Sequence, residues 1–106
     1  MVAHPALLEE HPLPPTDELL RLRAEIDALN AELCQVLHRR ARLCRAIARH
    51  KATTGLPAVD DARERAMLAA LAAAPADGFE PAALDRILRA VFAESRAIVE
   101  RGGAVP

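Results

Sequence analysis

The chain has no tryptophan and no tyrosine, and its two aromatic residues, Phe79 and Phe92, are too few to build a stacking platform for unpaired bases. It also lacks an excess of charge. Fourteen Lys and Arg stand against fifteen Asp and Glu, a formal net charge of -1, so no global basic field draws the chain to a phosphate backbone. Both absences point away from nucleic acid as a partner. No apolar run approaches the roughly 18 residues that cross a membrane, and the N-terminus has no basic segment followed by an apolar core. A soluble, cytoplasmic protein without a membrane partner is the expectation. The two cysteines, Cys34 and Cys44, lie on one predicted helix, about 15 Å apart along its axis, too far to bridge. They read as free thiols at the margin of a core. His4, His11, His38 and His50 share no metal-ligand spacing with each other or with the cysteines, so no metal site is expected.

What is present favours helix. The 106 residues are 52% hydrophobic, rich in alanine and arginine, with few β-branched runs, and suffice for one domain. Residues 1–15 carry Pro5, Pro12, Pro14 and Pro15 without any period and read as a mobile arm. Thr16 or Asp17 can cap a first helix, with Asp17 and Glu18 placed favourably at its positive end. Leu19, Leu22, Ile26, Leu29, Leu33, Val36, Arg40, Leu43 and Ile47 then follow an unbroken 3,4 spacing. The predicted helix runs to about Lys51, a rod of roughly 50 Å. A compact monomer of this size has a radius of gyration near ~13 Å and cannot cover such a rod, so a second chain is implied.

The stretch Ala52-Thr53-Thr54-Gly55-Leu56-Pro57 breaks that helix. A second, short helix starts at Asp60 or Asp61 and runs to about Ala74, with Met67, Leu68 and Leu71 inward, before Pro75, Asp77 and Gly78. Pro81 opens a third helix of medium length whose stripe is Leu84, Ile87, Leu88, Val91, Phe92, Ile98 and Val99. Gly102 and Gly103 end it, leaving 102–106 as a disordered tail and 16–101 as the folded domain. The fold class is all-α.

Several polar residues do not belong to these stripes. Arg40 sits inside the seam of the first helix, where an unpaired guanidinium costs several kcal/mol to desolvate. Either something anionic meets it, from a ligand or a neighbouring helix, or the seam opens to solvent there. Continuing the seam past Ile47 by one step lands on Lys51, about three turns beyond Arg40. Arg23 lies beside Leu22, roughly 25 Å from Arg40 by helical rise, and could share a small ligand with it only across an antiparallel dimer. Asp60, Arg63 and Glu64 open the second helix, where capping and solvated charge would explain them singly. Ser95 interrupts the third stripe, where a hydroxyl commonly bonds the preceding turn. Together these residues could line a donor-rich pocket for a small dicarboxylate, because arginine forks bind carboxylate bidentately.

Arg23, Arg40, Lys51, Asp60, Arg63, Glu64 and Ser95, on a long, a short and a medium helix, resemble the all-helical chorismate mutase family. The resemblance runs over residues 18–99 and includes Leu22-Arg23-Ala24-Glu25-Ile26-Asp27 and Asp60-Asp61-Ala62-Arg63-Glu64-Arg65. It implies an intertwined helical homodimer with two identical sites, each completed by Arg23 of the other chain. It implies the cofactor-free rearrangement of chorismate to prephenate, on the route to phenylalanine and tyrosine. By the same resemblance Arg40, Arg63 and Arg23 clamp two carboxylates with help from Ser95. Lys51 donates to the ether oxygen, and Glu64 and the backbone near Asp60 hold the ring hydroxyl.

The chain departs from this pattern at Val99, where many members carry a glutamine or glutamate as a second donor to the ether oxygen. Losing such a donor costs on the order of 3 kcal/mol in a barrier. A register shift that brings in Glu100 would rotate Ile98 off the apolar face. Three alternatives therefore accompany chorismate mutase: a weak mutase raised by an activating partner protein, a mutase of 4-amino-4-deoxychorismate, and an isochorismate pyruvate lyase. A non-catalytic dimer that binds a dicarboxylate is the reading from another class.

Overall fold

The computed structural model describes residues 13–57 and 59–102; the readings of residues 1–12 as a mobile arm and of 103–106 as a tail lie outside them. The described residues form three helices and no strand: α1 (Asp17–Thr54), α2 (Asp61–Ala72) and α3 (Pro81–Glu100).

Thr16, not Asp17, caps α1. Its hydroxyl accepts from the Leu19 amide at 3.1 Å, and its carbonyl accepts from Leu20 at 3.0 Å. Asp17 and Glu18 occupy the first turn. The helix continues to Thr54, three residues beyond the expected end, because the two threonines accommodate themselves within it. Thr53 Oγ1 donates to the His50 carbonyl at 2.7 Å and Thr54 Oγ1 to the same carbonyl at 3.2 Å. The ladder closes where Leu56 N–H donates back to the Lys51 carbonyl at 3.2 Å, across Gly55 at φ 75°. This left-handed terminator is one that glycine adopts without steric cost.

The chain divides into two compact units at Val36 and Leu37, within α1. In the first unit the apolar seam lies in solvent: Leu22 is 44% exposed and Ile26, Leu29 and Leu33 are each 56% exposed. The second unit holds the end of α1 together with α2 and α3. Its best-covered side chains are Ala48 on α1 and Phe92 on α3, while Leu43 and Ile47 remain exposed.

Asp60 caps α2 by accepting from the Arg63 amide at 3.0 Å. The helix stops at Ala72, two residues before the expected end, where Ala73 and Ala74 turn back onto the Ala69 and Leu71 carbonyls. α2 and α3 pack on each other. Met67, Leu68, Leu84 and Leu88 are half-buried, whereas Leu71 and Ile87, both expected inside, are exposed. Pro81 occupies the first turn of α3, where its missing N–H has no intrahelical acceptor to lose. Gly102, at φ 68°, ends α3 by donating to the Val99 carbonyl at 2.9 Å.

Candidate functional site

A cleft of about 450 Å³ lies in the second unit, lined from all three helices and the α1–α2 loop. Helix α1 supplies Arg40, Leu43, Ile47 and Lys51 at successive turns of one face, which is what the seam spacing dictates, with Cys44 beside them. The loop and the first turns of α2 supply Val59, Asp60, Arg63 and Glu64, and α3 supplies Ser95, Arg96 and Val99.

Arg40 is half-buried and its partners are neutral. Its Nη1 donates to Ser95 Oγ and lies 3.8 Å from Cys44 Sγ. The guanidinium carbon stands 5.1 Å from the centroid of the Phe92 ring, which is buried. No carboxylate among the described residues pairs with Arg40, so a neighbouring acid does not explain the misplaced charge. Ser95 does what a serine in a helical stripe ordinarily does, donating to the Val91 carbonyl at 2.8 Å. The same oxygen accepts from Arg40, so the hydroxyl also anchors the guanidinium. The remaining N–H donors of Arg40 are available to an anion.

The acid end of the cleft is built differently. Arg96, which the sequence reading does not single out, donates from Nη2 to Glu64 Oε1 at 2.8 Å. Its Nε lies 3.1 Å from Glu64 Oε2 and 3.3 Å from Oε1. The same Nη2 also reaches Asp61. The hydrogen bonds it donates to Glu64, and then to Asp61, raise the affinity of this guanidinium for its proton above the ordinary arginine value. The signal for Arg96 in the sequence was only its place beside Ser95, since nothing about a lone arginine says which acids it meets across 32 residues.

Of the eight residues expected to bind substrate, seven line this cleft: Arg40, Lys51, Asp60, Arg63, Glu64, Ser95 and Val99. Arg23 belongs to the first unit and is not among the lining residues. The register at the end of α3 follows directly: Val99 faces the cleft and is half-buried, and Glu100 is exposed. The lining carries four cationic side chains, Arg40, Lys51, Arg63 and Arg96, against the two carboxylates of Asp60 and Glu64, a surplus of two positive charges. Among the described residues no group of three or more His, Cys, Asp or Glu could hold a metal, and no helix is long and apolar enough to cross a membrane.

Residues 22–100 match the family model of type II chorismate mutases. Among solved structures, a chorismate mutase (form II) from Thermus thermophilus is similar at 33% identity and a TM-score of 0.77, covering 80% of this chain and 97% of that one. No curated protein matches the chain.

Proposed function

We propose how the cleft works from one premise: the chain belongs to the type II chorismate mutase family. It is an isomerase, and its reaction is the rearrangement of chorismate to prephenate. The family and the solved relative favour this activity over the amino-substrate mutase, the pyruvate lyase and the non-catalytic dimer.

The observation that carries the assignment of roles is the surplus of two positive charges in a cleft where Arg40 has only neutral partners. Chorismate brings two carboxylates. Arg40 and Arg63 take them, each guanidinium presenting paired N–H donors to a planar acceptor. Ser95 holds Arg40 in place for that contact.

The rearrangement is intramolecular: the ether C–O bond breaks as a C–C bond forms within one molecule. It requires no nucleophile and no change of oxidation state. Two things lower its barrier. Clamping both carboxylates holds an extended substrate in its folded, reactive conformer, and fixed positive charge meets the negative charge that grows on the ether oxygen. Lys51 supplies that charge. Val99, at the position from which a second donor would come, supplies none. Glu64 accepts from the ring hydroxyl, with the backbone near Asp60 beside it.

Arg23 completes the site of a second copy of the chain. The support is the solvent-exposed seam from Leu22 to Val36, an apolar stripe of the kind that a partner helix covers. The location expected for a biosynthetic step of this kind is the cytoplasm.

The test is Lys51→Ala in purified protein turning over chorismate. Loss of a fixed charge at a developing oxyanion lowers kcat by about 10²–10³-fold while fold and oligomeric state stay intact. Unchanged turnover removes Lys51 from the mechanism.

A further inference from the structure

Arg96 carries charge into the cleft without facing it alone. It spans both oxygens of Glu64 and reaches Asp61, fastening the first turns of α2 to α3. The two acids differ in surroundings: the Asp61 side chain is 65% exposed and the Glu64 side chain 24%. Water screens the Asp61 contact, so the compensation that matters inside the cleft is between Arg96 and Glu64. Glu64 is thereby both held in one orientation and balanced in charge. Its two oxygens offer about four acceptor sites, and the two Arg96 N–H groups leave room for one more donor.

We propose that Arg96 is the positioning residue that sets selectivity at the substrate's ring substituent: paired with it, Glu64 accepts from a neutral hydroxyl but is a poor counter-ion for a protonated ring amine. The inference rests on the reading above that Glu64 meets the ring hydroxyl. The charge of the whole cleft points the same way. Four cations line it, Arg40, Lys51, Arg63 and Arg96, and a substrate with two carboxylates and a neutral ring substituent adds no further cation to them. An amine at the same ring position, protonated at neutral pH like other aliphatic amines, would bring a fifth cation into that cleft, beside Arg96. Without Arg96, Glu64 would meet that amine as a bare carboxylate.

The experiment measures kcat/KM at neutral pH for chorismate and for 4-amino-4-deoxychorismate, and takes the ratio of amine to hydroxyl substrate. In Arg96→Gln the ratio rises on the order of tenfold, the scale of one charge contact near a protein surface, and in Arg96→Lys, which keeps the cation, it stays within about threefold of wild type. A merely structural Arg96 would lower both substrates together and leave the ratio unmoved. A shift below about threefold in Arg96→Gln, or an equal shift in Arg96→Lys, overturns the proposal. Circular dichroism checks folding, and Arg96→Met, which keeps an apolar stem, reads the same ratio should the glutamine variant not fold. Glu64→Gln separates this inference from its premise, because it lowers the ratio wherever Glu64 faces the ring substituent. If it leaves the ratio unmoved, the placement of Glu64 fails; if it lowers the ratio while Arg96→Gln does nothing, only the role of Arg96 fails.

Discussion

Replacing Val99 by glutamine should make the enzyme faster. Val99 lines the cleft on α3, one turn beyond the Ser95 that holds Arg40, and shares that cleft with Lys51. Its carbonyl already accepts the Gly102 amide that closes the helix, so the backbone at this position is fixed and the substitution changes only the side chain. Glutamine is also a better helix former than valine, so local propensity does not oppose the change.

A donor aimed at a developing oxyanion in a water-excluded site contributes about 2.7–4 kcal/mol, an upper bound of roughly 10²–10³ in rate. Two costs reduce it. The glutamine must give up rotamer freedom to point at the ether oxygen, on the order of 1.5 kcal/mol, and its amide must give up bound water to do so. The expectation is a rise in kcat of about tenfold, equivalent to about 1.4 kcal/mol. Exchanging a half-buried valine for a polar side chain costs about 1 kcal/mol of stability, a fall in Tm of about 4–8 °C for a domain of this size.

Steady-state loss of chorismate, with kcat and KM resolved, is the assay. A contact made only in the transition state raises kcat and kcat/KM together and leaves KM alone. A kcat that rises less than twofold in a folded variant would refute the reasoning that a missing donor limits the rate. A fall in KM at constant kcat would refute it differently, by showing that the amide binds substrate rather than the transition state.

Arg40→Ala removes charged hydrogen bonds of about 1.5–3 kcal/mol to one carboxylate, so kcat/KM falls by about 10–150-fold, mostly through KM; substrate titration checks it, and an unchanged KM would detach Arg40 from the clamp. If Arg23 crosses a dimer, an equal mixture of refolded Arg23→Ala and Lys51→Ala chains regains about a quarter of wild-type activity, because half the dimers are hybrids and each hybrid restores one of its two sites. A mixture no more active than its components would place Arg23 outside the partner's site.

Much of the fold was legible because it follows from local rules. The 3,4 spacing from Leu19 to Ile47 identified α1, and Pro81 and Gly102 bracket α3. The end of α1 lies beyond the expected Lys51 because the Thr53 and Thr54 hydroxyls return to the His50 carbonyl, so the stretch that breaks the helix takes effect only at Gly55. Leu71 and Ile87 were placed inside by periodicity alone, which ranks faces but does not say how many neighbours a small three-helix unit can provide. In the cleft, residues at odds with their own helix stripe could be found: Arg40 and Ser95 break apolar series and touch each other. Arg96 could not, since it breaks no series, and its significance lies in Asp61 and Glu64 on another helix.

In the mechanism proposed above, four residues of the cleft act on different terms of the same reaction. On that proposal Arg40 and Arg63 meet carboxylates that keep their charge throughout the rearrangement, so most of what they contribute is common to bound substrate and transition state and is read as affinity. The ether oxygen changes its charge, and only groups aimed there lower the barrier from the bound state; on the same proposal Val99 costs rate and spares affinity. Arg96 touches neither. Its bonds to Glu64 are the basis of the selectivity inferred above, in which a neutral ring substituent reacts nearly as before and a cationic one is penalised, so the expected effect lies in the ratio between substrates. On this reading one cleft lined by four cations separates binding, rate and selectivity by where each charge stands relative to the one bond that breaks.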